Sequence, residues 1–269
     1  MENGIVIPCY NEANRLKFNE FRNFISQNSN YLLCFVNDGS KDATLDQLLE
    51  FQAENSNQVR VVNLVENHGK AEAVRAGMLH LLSETEVDRV GFMDADLATD
   101  FIDYKRLVQV MIDEEKQMVV GSRKMNLGND VVRSAFRKIA SAAVGMVINL
   151  IIAMPVRDTQ CGAKVFERST ATYLFRQAFI SRWLFDVELF IRIRNLYESQ
   201  VMSRISEVGL LNWTEVEGSK ISLTESLKFP VRLMEIAYSY RVRSRLSSIK
   251  GSLLMSLVPS GNRAAYIRK

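Results

Sequence analysis

The first 125 residues of the chain alternate between short apolar runs and longer amphipathic stretches. Runs rich in valine, isoleucine and leucine are typical of strands buried on both faces, and the stretches between them are typical of helices. This alternation predicts an α/β fold with a mostly parallel, doubly wound sheet. The predicted strands are Ile5–Cys9, Leu32–Val36, Val59–Leu64, Val90–Met93 and Met118–Val120, and the predicted helices lie near 13–27, 42–55, 70–83 and 103–116.

Polar motifs follow four of the predicted strands. They are Pro8–Glu12, Asn37–Ser40, Asp94–Asp96 and Gly121–Arg123. Sheets of this class bind their ligands outside the carboxyl ends of the strands. The sequence therefore predicts a ligand site that several separate loops build together.

Asp94 and Asp96 form the strongest single motif. Two carboxylates at the end of a strand can bind one divalent cation, and Mg²⁺ or Mn²⁺ held in this way commonly bridges the phosphates of a nucleotide. The alternative is a pair of loop carboxylates that cap the next helix, for which Thr99 and Asp100 are also predicted caps.

Two further loops offer groups suited to a nucleotide. Asp38 can accept a hydrogen bond from the imino N–H of a base, or form an ordinary Asx turn. Asn67–Lys70 combines a glycine with a cation suited to a diphosphate, although a surface turn explains this stretch better by itself. The sequence lacks G-x-G-x-x-G, P-loop and G-x-S-x-G motifs, which argues against dinucleotide-binding Rossmann sites, P-loop NTPases and α/β-hydrolases.

The second half of the chain contains an uncharged segment, Ile139–Val156, that ends after a proline. Its length and composition leave three alternatives open, namely a buried core helix, an interfacial helix and a short membrane span. A further long helix is predicted over about 223–249.

The charge distribution is asymmetric. From Lys228 to Lys269 there are nine lysines and arginines and one acid, so the other residues carry a net charge of −5 within a total of +3. A basic tail on an acidic body predicts contact with a polyanion. The apolar run Leu253–Val258 beside these cations favours a membrane surface, and the shortage of stacking aromatics argues against nucleic acid. A solvated basic face is the alternative.

Cysteine usage and the N-terminus both favour a cytosolic protein. Cys9 and Cys34 lie inside apolar runs, as buried, reduced thiols do, and no paired cysteine motif occurs. The chain begins directly with a strand-like run, so a signal peptide is not expected.

Taken together, the four polar motifs resemble the inverting glycosyltransferases of family 2, which have the GT-A fold. The likeness extends over about residues 4–245. Other stretches resemble dolichyl-phosphate β-glucosyltransferases more narrowly, namely Asn67–Lys70, Ala73–Gly77, Arg157–Lys164, Arg182–Leu189 and Asn212–Lys220. The chain departs from the family pattern at Asn37, Ala71 and Glu72, which replace an aspartate and two glycines.

The resemblance implies a UDP-sugar donor, a polyprenyl-phosphate acceptor (dolichyl or undecaprenyl phosphate) and a divalent cation, Mg²⁺ or Mn²⁺. It implies a metal site at Asp94 and Asp96, and catalytic roles for Asp96, Arg123 and Asp158. For Asp158, a structural turn is the alternative. The implied donor-binding residues are Pro8, Tyr10, Glu12, Asp38, Lys70, Asp94 and Ala95, and the implied acceptor or phosphate contacts are Arg157, Gln160, Lys164 and Lys220.

Four residues of the later motifs invite specific expectations. Asp186 and Glu188 lie two apart in a predicted helix and therefore point to different faces, so we expect only one of them to reach the site. Trp183 and Trp213 are expected in the core or at an interface rather than as platforms for a sugar.

We expect a catalytic domain over 1–222, with a nucleotide-sugar half (1–125) and an acceptor half (126–222). A basic amphipathic segment, 223–269, is expected to dock a peripheral enzyme on the cytoplasmic face of a membrane. A GDP-mannose-dependent polyprenyl-phosphate mannosyltransferase is the nearest alternative, because the nucleoside motifs hardly separate guanine from uracil. A non-enzymatic, membrane-bound nucleotide sensor is the alternative from a different class. The sugar, the length of the lipid and the oligomeric state stay open.

Overall fold

The computed structural model of the protein describes residues 2–125, 145–213 and 228–241. The chain divides into two compact units, Met1–Ser222 and Leu223–Lys269. The strands of the first unit are β1 (Asn3–Cys9), β2 (Tyr31–Asp38), β3 (Val59–Leu64), β4 (Arg89–Phe92), β5 (Met118–Ser122), β6 (Lys164–Glu167) and β7 (Ile205–Gly209). Its helices are α1 (Phe18–Gln27), α2 (Thr44–Glu54), α3 (Lys70–Glu84), α4 (Phe101–Asp113), α5 (145–152), α6 (Arg168–Phe175), α7 (Phe185–Tyr197) and α8 (Val201–Arg204).

Within the described residues, the strands form one seven-stranded sheet in the order β3-β2-β1-β4-β6-β5-β7. The four strands β1 to β4 are parallel to one another, β6 runs antiparallel between β4 and β5, and β7 is parallel to β5. The predicted α/β fold with a mostly parallel sheet is confirmed, and all five predicted strands are present. The strands β6 and β7 were not predicted, because their short sequences carry charges and lack an apolar run.

The central strands are completely buried, as their apolar sequences require. Ile5 and Leu33 are inaccessible to solvent on one face of the sheet, and Val6 is inaccessible on the other face, which α3 covers. Cys9 of β1 lies in register with Asn37 of β2. The loops that follow these two strands therefore begin at the same level of the sheet.

Helix boundaries deviate most from prediction at α1. This helix begins at Phe18 rather than near residue 13, because the amides of Arg15 and Leu16 donate to the Glu12 carbonyl in a separate turn. At α4, the Asp100 carboxylate accepts a 2.8 Å hydrogen bond from the Asp103 amide, which confirms the predicted cap.

The described part of the uncharged segment, residues 145–156, contains α5. Ile148 and Ile152 are buried, whereas Met146 and Leu150, one turn apart, are 75% and 80% exposed. Residues 139–144 of this segment lie outside the described residues. No helix among the described residues combines the length and the apolar character needed to span a membrane.

The second unit contains a described helix, α9 (229–241), within the stretch for which a helix was predicted. Val231, Met234 and Tyr238 are exposed along it, and Leu233 and Ile236 are buried. The basic tail beyond Arg241, including Leu253–Val258, lies outside the described residues.

Candidate active site

Three of the four polar motifs meet at the carboxyl ends of β1, β2 and β4, where they surround a cavity of about 390 Å³. The fourth motif, Gly121–Arg123, does not line this cavity. The loop between β3 and α3 supplies part of the wall instead. The lining residues are Pro8, Cys9, Tyr10, Glu12, Arg15, Asp38, Asn67, Gly69, Lys70, Ala73, Asp94, Ala95, Asp96 and Trp183.

The charged side chains give this cavity a net negative charge. Among its described lining residues, four carboxylates (Glu12, Asp38, Asp94 and Asp96) face two cations, Arg15 and Lys70, which leaves a formal charge of −2. An anionic ligand such as a nucleoside diphosphate would be repelled by this charge unless a cation entered with it.

Asp94 and Asp96 each face one of these cations. Asp94 forms an ion pair with the Lys70 ammonium, and Asp96 lies 3.4 Å from the Arg15 guanidinium. Their side chains are 36% and 24% exposed, so both carboxylates are open to a ligand. The second Asp96 oxygen accepts a hydrogen bond of 3.0 Å from the Ala98 amide, which orients the carboxylate.

This pair of carboxylates fits a divalent cation. Mg²⁺ is usually bound by one or two carboxylates and completes its coordination with waters and substrate phosphates. The described residues contain no group of three or more acidic, histidine or cysteine ligands. Gly162 leaves room for the pair, because a Cβ atom there would lie 2.1 Å from Asp94 Oδ2.

Lys70 is the first residue of α3 and carries its charge toward the acids. Burial lowers its pKa, but the carboxylates of Asp94, Asp186 and Asp96 outweigh this effect and raise the pKa above its usual value. The ammonium is therefore fully protonated at neutral pH. It is available to a diphosphate once another cation satisfies Asp94.

Asp38 uses most of its hydrogen-bonding capacity within the protein. Its buried carboxylate accepts from the amides of His68 (2.8 Å) and Gly69 (2.9 Å) and from the side-chain amide of Asn67 (3.1 Å). A carboxylate offers roughly four acceptor sites, so about one is left for a ligand. Asp38 thus both lines the cavity and fixes the loop before Lys70.

The departures from the family pattern have local explanations. The Asn37 side chain donates to Asn63 Oδ1 (2.8 Å) and accepts from the Ser40 amide (3.3 Å), so it closes the turn after β2. Ala71 is buried, and its amide donates to the Arg182 carbonyl rather than facing the cavity. The Ala71 amide is therefore occupied within the protein.

The structure adds two residues that the sequence interpretation missed as site residues. Arg15 bridges Glu12 and Asp96, and its only sequence signal is its position in the polar loop after β1. Trp183 is half-buried and lines the cavity, which argues against the expected core position, and the interfacial alternative stays a prediction. For Trp213 the expectation is confirmed, because its ring packs on the core below the Arg123 guanidinium.

Asp158 and Arg123 form a tight pair apart from the residues that line the cavity. The buried Asp158 carboxylate accepts from Arg123 Nε (2.7 Å), Nη2 (2.9 Å) and the backbone amide (3.0 Å). Burial alone would raise the pKa of Asp158, but the Arg123 guanidinium outweighs it and holds that pKa below its usual range. A carboxylate with a lowered pKa is a weak base, and this geometry favours the structural alternative for Asp158.

Lys164 and Asp186 form a second, fully buried pair. The Lys164 ammonium donates to Asp186 Oδ1 (2.6 Å) and to the Cys161 carbonyl (2.6 Å), and it lies 5.4 Å from the centre of the Phe92 ring. Lys164 has no solvent exposure, so its placement does not support direct contact with a phosphate. Instead of the expected contact with the acceptor phosphate, Lys164 forms an ion pair inside the protein.

Asp186 and Glu188 have different partners, as their spacing predicts. Lys70 and Asp94 lie close enough to Asp186 to affect its pKa, whereas the buried Glu188 accepts hydrogen bonds from the amides of Ile180 and Ser181. Glu188 therefore fixes the segment before α7.

The other predicted acceptor contacts lie outside the cavity wall or outside the described residues. Arg157 is exposed, and its amide donates to Glu207. The buried Gln160 Nε2 atom lacks a hydrogen-bond partner in the described part of the chain. Lys220 lies outside the described residues.

Solved structures with a similar fold identify the fold of this chain. Glucosyl-3-phosphoglycerate synthase from Mycobacterium tuberculosis, in complex with Mn²⁺, UDP-glucose and phosphoglyceric acid, superposes with a TM-score of 0.62. The alignment has 18% identity and covers 89% of this chain and 79% of that one. A second complex of that enzyme, with Mn²⁺, UDP and glucosyl-3-phosphoglycerate, gives a TM-score of 0.61 at 20% identity over 89% and 79% of the two chains. The predicted GT-A fold is confirmed.

Sequence relatives are more similar. The dolichyl-phosphate beta-glucosyltransferase of Drosophila melanogaster is 37% identical over 82% of this chain and 70% of its own length. The protein of the same name from Homo sapiens is 34% identical over 81% and 69%, and the Trichomonas vaginalis relative ALG5D is 32% identical over 89% and 74%. The model of Glycosyl transferase family 2 matches residues 4–183, and the chain therefore belongs to this family.

Proposed function

We propose that the protein transfers glucose from UDP-glucose to a polyprenyl phosphate, either dolichyl or undecaprenyl phosphate. The observation that carries the proposal is the cavity itself, in which Asp94, Asp96 and Lys70 lie together beside the loops after β1 and β2. The relatives named dolichyl-phosphate beta-glucosyltransferase, which match across most of the chain, support the choice of glucose and lipid.

The donor would bind with its nucleoside against the loop after β1. Pro8, Tyr10 and Glu12 line that side, and the remaining acceptor site of Asp38 suits the imino N–H of a base. Ala95 and Lys70 also line the cavity, where Lys70 would contact the diphosphate. Both uracil and guanine carry an imino N–H, so a GDP-mannose-dependent enzyme is the second candidate.

A divalent cation, Mg²⁺ or Mn²⁺, would be held by Asp94 and Asp96. When bound, it supplies Lewis-acid stabilisation of the charge on the departing diphosphate. The charge balance of the cavity supports this proposal, because a negatively charged donor has to enter a site that already carries −2. If Asp94 and Asp96 held the cation, Lys70 and Arg15 would be free of their ion pairs with these carboxylates and could pair with phosphate oxygens.

The transfer is one in-line displacement. A phosphate oxygen of the acceptor forms a bond to the anomeric carbon, the bond from that carbon to the UDP oxygen breaks, and the configuration inverts. A phosphate monoester is ionised near pH 7, so the reaction needs no strong general base. This agrees with the commitment of the Asp158 carboxylate to Arg123. Lys70 would stabilise the charge that develops on the leaving group.

The acceptor would approach from a membrane surface. We propose that the exposed apolar side chains of α5, Met146 and Leu150, and the basic segment 223–269 dock the enzyme on the cytoplasmic face, with 126–222 as the acceptor half. Cys9, Cys34 and Cys161 are all buried and free, which agrees with a reducing compartment.

A donor screen tests the proposal. The full chain is incubated with a short polyprenyl phosphate, Mn²⁺ and either UDP-glucose or GDP-mannose, with and without excess chelator. We expect lipid-linked glucose from UDP-glucose and none in chelator. Transfer from GDP-mannose alone would favour the mannosyltransferase, full activity in chelator would contradict the metal site, and nucleotide binding without transfer from any donor would favour a sensor.

A further inference from the structure

Two side chains, those of Asp38 and Arg182, form hydrogen bonds with the backbone of the loop before Lys70. Asp38 accepts from the amides of His68 and Gly69, at 2.8 and 2.9 Å. Arg182 donates to the carbonyls of the same loop, from Nε to His68 (2.7 Å) and from Nη2 to Asn67 (2.5 Å). Nη2 also donates to the Asn67 side chain at 2.9 Å. The backbone of this exposed loop is therefore satisfied by two side chains that are far apart in sequence.

Arg182 also contacts the beginning of α3 directly. Its carbonyl accepts from the Ala71 amide at 3.1 Å. Gly69 packs against its side chain so closely that a Cβ atom at 69 would lie 2.8 Å from Arg182 Nε. Gly69 also has a φ of +92°, which disfavours other residues. The contact thus depends on the shape of the loop as well as on its carbonyl groups.

The segment that carries Arg182 is itself well anchored. The buried Glu188 carboxylate accepts from the amides of Ile180 and Ser181, both at 2.9 Å, and Ser181 Oγ accepts from the Leu184 amide at 3.0 Å. The next residue, Trp183, lines the cavity. Arg182 therefore joins a rigid segment before α7 to the loop that presents Lys70.

We infer that Arg182 is a positioning residue for donor binding, which fixes Lys70 and Trp183 at the cavity without touching the donor. The inference rests on the proposed function, because Lys70 is the residue expected to contact the donor diphosphate. Ordering the loop in advance removes an entropic cost that binding would otherwise carry. The loop is ordered in both the ground state and the transition state of the reaction. Loss of this order therefore weakens the binding of both states equally, so it raises KM more than it lowers kcat.

Three variants of the full chain test this role. Arg182→Ala removes the guanidinium, and Arg182→Lys keeps the charge but lacks the planar fork that serves two carbonyls at once. Arg22→Ala is the matched control, because Arg22 is also exposed and its partners among the described residues all belong to α1 and α2, whose residues do not line the cavity. For each protein, the affinity for UDP in the presence of Mn²⁺ is measured by calorimetry, together with kcat and KM for UDP-glucose and the thermal midpoint.

We expect Arg182→Ala to weaken UDP binding about tenfold, which corresponds to about 1.4 kcal/mol. Its KM for UDP-glucose should rise by a similar factor, with kcat within about twofold of the wild type. Its thermal midpoint should fall by no more than about 4 °C. Arg182→Lys should show an intermediate loss, and Arg22→Ala should bind UDP as the wild type does.

Unchanged UDP affinity in Arg182→Ala, or an equal loss in Arg22→Ala, would overturn the inference. A loss confined to kcat would also overturn it. If Arg182→Ala does not fold, Arg182→Lys decides, and wild-type affinity in that variant counts against the role. Failure of the wild-type protein to bind UDP would instead contradict the proposed function and is seen before any variant is made.

Discussion

Two carboxylates of the cavity, Asp94 and Asp96, and two carboxylates near β5 and α7, Asp158 and Asp186, have the same chemistry but opposite surroundings. The side chains of Asp94 and Asp96 are 36% and 24% exposed, and each faces a cation that lines the same cavity. Those of Asp158 and Asp186 are 3% and 8% exposed, and their partners, Arg123 and Lys164, are not among the cavity residues.

This difference separates carboxylates that can exchange their partner from carboxylates that cannot. A metal ion can replace Lys70 or Arg15 at little cost, because the displaced cation can remain in a solvated cavity. Displacing the partner of a buried carboxylate leaves a charge without compensation, which costs several kcal/mol. The comparison therefore supports our proposal that the first pair binds the ligand and that the second pair is structural.

The largest effect should come from the exposed pair. Asp96→Asn removes one negative metal ligand but keeps the acceptor for the Ala98 amide, so the fold should be retained. We expect turnover to fall by roughly 10³-fold, since a metal ion contributes several kcal/mol and each 1.36 kcal/mol is tenfold. Initial rates across a Mn²⁺ titration measure this, with the thermal midpoint as the control. A variant that keeps most of its activity would place the metal elsewhere.

The next effect concerns the buried pair. Lys164→Met leaves Asp186 without its nearest cation, and Asp186→Leu leaves the Lys164 ammonium unpaired, so each single variant should lose about 3–5 kcal/mol of stability. The double variant should recover most of this loss, because no unpaired charge remains. Urea unfolding of the four proteins gives the coupling free energy. Additive losses would show that the two residues do not act as a pair.

A smaller, pH-dependent effect is expected at Asp158. Because Arg123 holds the folded-state pKa of this carboxyl below its unfolded value, the pair stabilises the protein above about pH 4, and this contribution is lost as the pH falls through the folded pKa. Asp158→Asn should cost about 2 kcal/mol at pH 7, less than a fully buried pair because Arg123 is partly exposed.

Unfolding of the wild type and the Asp158→Asn variant between pH 3 and 7 measures this effect. The gap between the two proteins should narrow toward the acid end. The pH profile of kcat should keep its shape in the variant. Loss of the acidic limb of the kcat profile in the variant would show instead that Asp158 acts as a general base.

The smallest effect distinguishes the two tryptophans of the chain. Trp183 lines the cavity and Trp213 packs on the core, so UDP should change the fluorescence of Trp183 alone. Trp213→Phe should keep the change in emission and Trp183→Phe should lose it, with UDP affinity reduced about fivefold if the ring contributes about 1 kcal/mol. If Trp213→Phe lost the change in emission and Trp183→Phe kept it, Trp213 rather than Trp183 would lie at the UDP site.

The strands and the donor side of the site could be predicted because their signals are local. A buried parallel strand needs an unbroken apolar run, and the polar residues after β1, β2 and β4 must lie together once those strands are parallel. Predictions for the acceptor side were weaker. Lys164 is a cation in a family motif, but the motif does not show that its ammonium lies over the Phe92 ring and pairs with Asp186.

The sequence alone determined the α/β class, the family and the carboxylate pair of Asp94 and Asp96. The class and the family depend on the order of local patterns along the chain, and the carboxylate pair depends on residue type and spacing within one loop. The tertiary structure decided which charges remain open to a ligand. Arg15, Trp183 and Arg182 acquire their roles from residues that are distant in the chain, such as Asp96 and the loop at Asn67–Gly69. The burial of a side chain and the identity of its partner depend on how the sheet brings these loops together. The sequence pattern does not show which of these distant loops lie close together in space.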